Sequence, residues 1–281
     1  AVANLLLDPL FIFVFGLGIK GAAIATVISQ TLSAAFVLYF LHYKAEYRIR
    51  FLSKTELAAC GEDAKNIVSL GTAGFIMQLT NSLVTICANN VLSVTGGDVY
   101  ISVMTIISSV RQMVETPIYA ITEGSSPIIS YNYGAKNADR VKAAFRLLLK
   151  CNLCYSVMLW LLVMIFPQVF AGLFTADPTL LAYTKPALRI YLACLGLFGI
   201  QLACQMTFTS LGKALDSIVV AVMRKFILLI PLIYLMPRLF PENRAMAVYL
   251  AEPAADFFAI LFTSILFTSE FKRALKKMRQ E

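Results

Sequence analysis

An acidic residue, Asp8, stands in the apolar stretch NLLLDPLFIF at residues 4–13. Acids within the bilayer are energetically costly, so they mark candidate ion or proton pathways. Asn4 precedes Asp8 by four residues, and this spacing places both side chains on one face of a helix. Pro9 removes a backbone N–H and thereby frees the carbonyl oxygen of Leu5 near the same level. The first helix therefore offers several oxygen atoms at one depth.

Thr26 adds a hydroxyl from the following segment. The turn between the segments lies near residues 16–21, so a rise of about 1.5 Å per residue places Asp8 and Thr26 at similar depth on antiparallel helices. Oxygen-only ligands suit Na⁺ or a proton better than a soft transition metal. We predict a Na⁺ or H⁺ coupling site at Asn4, Asp8 and Thr26, with no other metal site. The competing interpretation is an acid at a wet helix end, or one paired with a segment upstream.

A second group of polar residues lies in later apolar segments. Arg111 and Glu115 are four apart and are predicted to pair within the bilayer, either as a structural ion pair or as a cavity wall that attracts cations. Glu252 and Asp256 are predicted to lie near an interface between two lobes or to pair with groups upstream. The residues predicted to line the cavity are Arg111, Gln112, Glu115, Tyr119, Glu123, Asn81, Gln201 and Met206.

Long apolar segments must position these side chains. Of 281 residues, 59% are hydrophobic and 14% are charged, and about 20 apolar residues suffice for a helix to cross a bilayer. The sequence therefore predicts an all-α, polytopic transmembrane protein embedded in lipid rather than a soluble domain. Its eight predicted membrane helices lie roughly at 1–15, 22–42, 68–93, 99–123, 145–167, 181–209, 214–239 and 245–269.

The net charge of +8 is concentrated in alternate polar joints. Because Lys and Arg are enriched in cytoplasmic loops, this pattern predicts a cell-membrane protein whose C-terminus lies in the cytoplasm, and it disfavours a nucleic-acid partner. The basic joints are predicted to contain Lys44, Arg48, Arg50, Lys54 and Lys65, then Lys136, Arg140, Lys142, Arg146 and Lys150, then Lys213, Arg224 and Lys225, and last Lys272, Arg273, Lys276, Lys277 and Arg279.

An internal repeat relates the first helix pair to a later pair. A shift of 222 residues superposes Pro9 on Pro231 within matching leucine frames. The three polar positions of the first copy are apolar in the second, where they are Phe226, Ile230 and Val248. The repeat therefore predicts two halves of like topology, a common transporter plan, and it assigns the polar trio to function rather than to the fold.

Three domains are predicted from this organisation. Residues 1–42 are the last two membrane helices of an N-terminal lobe, residues 43–66 are a cytoplasmic connector, and residues 67–281 are a six-helix C-terminal lobe with a basic tail. The chain begins at Ala1, inside an apolar segment and without methionine. We therefore expect it to be the C-terminal fragment of a longer protein.

Three stretches resemble the multidrug and toxic compound extrusion (MATE) transporters. NLLLDPLFIFVFGLGIKGAAIATVISQ resembles their fifth and sixth helices, EGSSPIISYNYGAKNADRVKAAF their eighth helix and following loop, and TSLGKALDS the turn after their tenth helix. The resemblance implies two six-helix lobes and drug efflux coupled to Na⁺ or H⁺ entry. It also implies that Asn4, Asp8 and Thr26 match three of the four residues of an N-lobe cation site, whose fourth residue, an aspartate, would lie upstream.

Other members of that family carry a carboxylate site on the seventh and tenth helices. The matching segments here, GTAGFIMQLTNSLVTICANN and YLACLGLFGIQLACQMTF, contain no acid, and Asn81 stands roughly where those members have glutamate. The resemblance therefore favours the N-lobe site.

The predicted function is that of a secondary active antiporter, monomeric when complete, that exports cationic or amphipathic compounds in exchange for Na⁺ or H⁺ and uses no cofactor. A lipid-linked oligosaccharide flippase of the same superfamily is the alternative, although only Arg111 is a clear mid-membrane cation. An integral-membrane enzyme is disfavoured because the chain has one histidine and no acidic cluster.

Overall fold

The structure, a computed structural model, describes residues 2–45 and 61–280. Within these ranges the chain is helical and contains no strand, which confirms the all-α prediction. The chain divides into two compact units, residues 1–68 (unit 1) and 69–281 (unit 2). The functions predicted for the three domains stay predictions, and residues 46–60 of the predicted connector lie outside the described residues.

Unit 1 contains a closely packed helix pair. Helix α1 spans Val2–Pro9 and continues as a π-helical segment over Leu10–Val14, and α2 spans Gly18–Tyr43. A Cβ atom at Gly21 would lie 2.6 Å from the carbonyl oxygen of Phe11. Because real Cβ atoms do not approach a backbone oxygen so closely, only glycine allows the two helices this approach. This close approach at Gly21 packs the following turn of α2 against α1.

Unit 2 is a bundle of longer helices interrupted by short bent segments. Its elements are α3 (Gly61–Thr95, whose first eight residues belong to unit 1), α4 (Gly97–Gly134), α5 (Ala138–Ile165), α6 (Pro167–Gly172), α7 (Pro178–Tyr191), α8 (Leu195–Ser210), α9 (Ala214–Val222), a π-helical segment (Met223–Leu229), α10 (Ile230–Leu239), a 3-10 turn (Pro241–Asn243) and α11 (Arg244–Gln280).

Local sequence signals explain where several of these helices begin. Asn137 caps α5 by accepting a hydrogen bond from the backbone N–H of Arg140 at 3.1 Å, and Asp177 caps α7 by accepting one from Thr179 at 2.8 Å. Such side chains satisfy the unpaired N–H groups of a first turn. Pro167 opens α6, where the missing N–H of proline has no consequence.

The core of unit 2 is organised around one stripe of α4. Val103, Ile107, Val114 and Ile118 are fully buried at helical spacing, as expected for a helix with one apolar face. Arg111 occupies the same stripe and is only 8% exposed. A guanidinium in this position must be paired, since an unpaired buried charge is strongly unfavourable.

Over the described residues each of the eight predicted membrane segments is mainly helical, but the segments differ in whether they are long and apolar enough to span a bilayer. Among the described residues, four helices are long and apolar enough, and a fifth counts if α7 and α8, which meet at a bend of 49°, form one broken span. The number of spans therefore stays a prediction. The four helices cover Gly18–Tyr43, Ala138–Ile165, Leu215–Leu239 and Pro241–Met278.

The prediction that Arg224 and Lys225 lie in a basic joint is wrong. Both belong to the π-helical segment Met223–Leu229, inside the apolar run Leu215–Leu239. Arg224 is 8% exposed, and Lys225 is half-buried. The burial has a physical basis, because acids of α11 neutralise Arg224.

Candidate functional site

The three predicted coupling residues of unit 1 meet between α1 and α2. The side-chain amide of Asn4 donates hydrogen bonds to Asp8 Oδ1 at 3.2 Å and to Thr26 Oγ1 at 3.5 Å. The Thr26 hydroxyl in turn donates to the carbonyl oxygen of Ala22 at 2.9 Å. Spacing on α1 and the close helix approach at Gly21 thus bring together a carboxylate, an amide and a hydroxyl.

The π-helical segment of α1 begins directly after Asp8-Pro9. Its bonding is shown by the backbone N–H of Phe15, which donates to the carbonyl oxygen of Leu10, five residues earlier, at 3.0 Å. Proline lacks the donor that continues an α-helix, and π-helical insertions occur often at functional sites. The acid therefore lies beside an irregular turn rather than within a regular helix.

The trio could hold a hard cation. One oxygen of Asp8 and the hydroxyl oxygen of Thr26 both lie within 3.5 Å of the Asn4 amide nitrogen, and rotation of that amide would present its oxygen in place of its nitrogen. These oxygens fit Na⁺, and the carboxylate alone could accept a proton. In the described part of the chain no basic side chain pairs with Asp8, so its negative charge is met only by a neutral amide.

A second polar cluster, which we call the ionic network, lies inside unit 2. It consists of Arg111 and Glu115 from α4, Arg224 from the π-helical segment, and Glu252 and Asp256 from α11. Arg111 binds all three acids: Nε lies 2.5 Å from Glu115 Oε1, Nη1 2.7 Å from Glu252 Oε1 and Nη2 3.3 Å from Asp256 Oδ2.

Arg224 closes the ionic network from the other side. Its Nε lies 2.6 Å from Asp256 Oδ1 and its Nη2 2.8 Å from Glu252 Oε1. Both guanidinium groups also lie over the ring of Phe198, at 5.3 Å for Arg224 and 5.5 Å for Arg111. Charge-assisted hydrogen bonds and ring contacts of this kind offset the loss of hydration. Two guanidinium and three carboxylate groups leave the network a net charge of −1.

A cavity of about 540 Å³ opens beside this network. Its volume falls within the range of small-molecule sites, about 300–1,000 Å³. Its walls combine charged groups with hydroxyl, amide and aromatic side chains. The predicted cavity residues that line it are Asn81, Arg111, Gln112, Glu115 and Tyr119.

Three residues predicted for the cavity lie elsewhere. Glu123 is exposed further along α4, Met206 is half-buried in α8, and Gln201 is buried in α8, where its Oε1 atom has no hydrogen-bond partner among the described residues. None of the three is among the lining residues.

Sequence reasoning missed Arg224 and Lys225, which line the cavity. Both fall inside the segment 214–239 predicted to be apolar, and two adjacent cations within such a segment are the signal that could have identified them. Glu252 and Asp256 pair with Arg111 and Arg224 within unit 2, so the alternative that they pair with groups upstream is wrong, and the alternative that they lie near an interface between lobes stays a prediction.

Comparison with known proteins gives a consistent set of relatives. A family model described as MatE matches residues 73–235. The "Multidrug export protein MepA" of Staphylococcus aureus is 25% identical over 266 residues, which cover 94% of this chain and 57% of that protein. The "FAD transporter" of Shewanella oneidensis is 26% identical over 239 residues, which cover 83% of this chain and 52% of that protein. The chain thus spans about half the length of the curated relatives it matches.

Solved structures share the fold. An outward-facing MATE family transporter of the MOP superfamily superposes with a TM-score of 0.84 at 22% identity, over 98% of this chain and 61% of that one. A Pyrococcus furiosus transporter of that superfamily, described as having a binding pocket of reversed polarity, superposes with a TM-score of 0.80 at 21% identity over the same shares.

Proposed function

Because the chain belongs to the MatE family, we propose that the protein containing it is a secondary active antiporter of a cell membrane. It exports cationic or amphipathic organic compounds in exchange for Na⁺ or H⁺, works as a monomer and carries out no enzymatic step. The names of its relatives, a multidrug export protein and a FAD transporter, support export of organic compounds. The basic face near the end of α11, with Lys272, Arg273 and Lys276 exposed, supports a cytoplasmic C-terminus.

The observation that carries the coupling proposal is the contact of Asn4 with both Asp8 and Thr26. A cation that enters this site neutralises Asp8 and replaces the amide as its partner. Coupling requires the ion to bind the inward-open and outward-open states with different affinity. The irregular turn after Pro9 gives α1 a place to bend when the partners of Asp8 change.

Replacement of Asp8 by asparagine tests this mechanism in the whole protein. We expect Asp8→Asn to abolish ethidium export from proteoliposomes while membrane insertion is preserved, because the side chain keeps its size but loses its charge. Imposing a Na⁺ gradient and a pH gradient separately identifies the coupling ion. Wild-type export by the variant under both gradients would refute the coupling role.

Two threonines of α2 provide a matched control. Thr26 and Thr31 both donate to the carbonyl four residues earlier, at 2.9 and 2.8 Å, but only Thr26 contacts Asn4. Thr26→Val should therefore raise the ion concentration needed for half-maximal export, and Thr31→Val should not. Equal effects would mean that the loss arises from the helix rather than from the site.

A lipid-linked oligosaccharide flippase is the second candidate function. The observation in its favour is that Arg224 and Lys225 join Arg111 on the cavity wall, because a flippase must bind a diphosphate headgroup. Translocation of a fluorescent short-chain lipid-linked sugar in proteoliposomes without an ion gradient would support this function. Export of ethidium that depends on an ion gradient, with no translocation of that lipid, would exclude it.

A further inference from the structure

We propose that the cavity of unit 2 binds the acidic group of an amphipathic organic molecule, a phosphate or a carboxylate, through Lys225 and the unbound Nη1 group of Arg224. This inference rests on the proposed export function and specifies one chemical class of compound that the protein takes.

The first step is that the acids on the cavity wall already form hydrogen bonds with arginines. Glu115 and Glu252 each accept a hydrogen bond from Arg111 at 2.5–2.7 Å, and Glu252 accepts a second from Arg224. A cationic compound would have to compete with these guanidinium groups. The acids therefore serve to hold the arginines in place rather than to attract a positive charge.

The second step is that basic donors remain available. Lys225 forms no ion pair within the described ranges, and its ammonium group donates to the neutral Asn81 Oδ1. Arg224 uses Nε and Nη2 for its acids, while its Nη1 forms no hydrogen bond to any described residue. An ammonium group and the edge of a guanidinium group are the donors that proteins use for phosphate and carboxylate.

The third step is the charge that the cavity presents. The wall carries three cations, Arg111, Arg224 and Lys225, against the two acids Glu115 and Glu252. Asp256 binds both arginines although it is not part of the lining, so the charges of the wall and of the ionic network together sum to zero. Lys225 is the charge that has no acidic partner among the described residues, and an entering anion would pair with it.

The fourth step is the local backbone. Arg224 and Lys225 are neighbours in sequence, and consecutive side chains of an α-helix diverge by about 100°. The π-helical segment turns less per residue because its hydrogen bonds join residues five apart. Both basic side chains of this segment line the same cavity.

The ligand can be larger than its acidic group. The volume of about 540 Å³ accommodates an organic molecule, and Tyr119, Tyr191 and Leu229 offer apolar surface beside hydroxyl and amide groups. The acidic group would bind at Lys225 and Arg224, and the remainder would pack against these side chains.

The test measures binding to the whole detergent-solubilised protein by isothermal titration calorimetry. Octyl phosphate and octyl glucoside carry the same chain with and without a charge. We expect octyl phosphate to bind at least about tenfold more tightly than octyl glucoside, and Lys225→Met to remove this difference while Lys225→Arg retains it, since a charged hydrogen bond is worth about 1.5–3 kcal/mol. Thermal unfolding of each variant verifies that it is folded.

Lys185→Met is the matched control, because Lys185 is also half-buried and forms no ion pair with a described residue, but lies outside the cavity. Equal binding of the two compounds, or equal losses in Lys185→Met and Lys225→Met, would overturn the proposal. The Asp8→Asn variant should still bind octyl phosphate, so failure of the coupling mechanism and failure of this site are distinguishable.

Competition experiments distinguish two sources of the acidic group, a lipid and a soluble organic acid. Displacement of octyl phosphate by phosphatidylglycerol, but not by phosphatidylcholine, in nanodiscs identifies a lipid phosphate. Displacement by octanoate in the absence of added lipid identifies a soluble organic acid. Either result supports recognition of the acidic group at Lys225. If neither compound displaces octyl phosphate, the proposal is contradicted.

Discussion

Removal of one arginine from the ionic network tests whether the network is a buried, mutually dependent unit. Arg224 donates to Asp256 at 2.6 Å and to Glu252 at 2.8 Å. All three side chains are less than a tenth exposed. Arg224→Met keeps the apolar length of the side chain but leaves both acids with Arg111 as their only basic partner.

The expected loss of stability in Arg224→Met follows from the charges that remain in the network. The variant holds one guanidinium and three carboxylates, so the net charge of the network falls from −1 to −2 among side chains that are largely buried. Removal of one partner from a buried ion pair typically destabilises a protein by about 3–5 kcal/mol, because the other partner keeps its desolvation penalty. We expect Arg224→Met to lower the free energy of unfolding by that amount.

A double variant separates unpaired charge from lost packing. Arg224→Met/Asp256→Leu returns the network to −1 and leaves Arg111 bound to Glu115 and Glu252. Replacement of both partners by apolar groups is often close to neutral, so most of the stability should return. The free energy of unfolding is measured in micelles by titration with sodium dodecyl sulfate. A loss below about 1 kcal/mol in the single variant, as for an exposed pair, or a double variant less stable than the single, would refute the reasoning.

Two further substitutions probe packing and surface charge. Gly199→Ala should destabilise the protein by about 1–3 kcal/mol, because a Cβ atom there would lie 2.5 Å from Ser156 Oγ. Gly124→Ala is the control, because a Cβ atom at Gly124 would meet no atom within 4 Å. Equal melting temperatures of the two variants would contradict the close packing at Gly199. Lys213→Met should cost less than about 1 kcal/mol, with an effect that shrinks in high salt, because the ion pair of Lys213 with Glu270 is partly exposed; a loss of several kcal/mol would contradict this.

The sequence was sufficient to predict the helices and the proximity of Asn4, Asp8 and Thr26, because both depend on local spacing, while the coupling role of these three residues stays a prediction. The separation of Asn4 from Asp8 fixes a shared helix face, and the short turn before Gly21 fixes the depth of Thr26. The repeat added a separate argument, since Phe226 and Ile230 occupy the places of Asn4 and Asp8 in the later copy. The contact of Asn4 with Thr26 in the structure is the geometry expected from that reasoning.

The ionic network could not be predicted in the same way, because its partners are distant in sequence. Arg111 and Glu252 are separated by 141 residues, and they meet because α4 and α11 both pack against the same two helices, α7 and α8. The rule that Lys and Arg are enriched in cytoplasmic loops assigned Arg224 wrongly to such a loop. The rule describes loops and does not consider ion pairs within a helix bundle. A basic residue inside an apolar segment should first be considered as an ion-pair partner of each acid in the other apolar segments, before it is assigned to a loop.

The two polar clusters differ in whether their acids already have a cationic partner, and this difference bears on where ion coupling occurs. Glu115, Glu252 and Asp256 each contact an arginine, so a Na⁺ ion or proton that bound there would first have to displace a fixed positive charge. Asp8 is met by the neutral amide of Asn4 and by no basic side chain in the described ranges. Of the acids in these two clusters, Asp8 is therefore the one without a basic partner among the described residues, which is the observation that favours it in the proposed coupling mechanism.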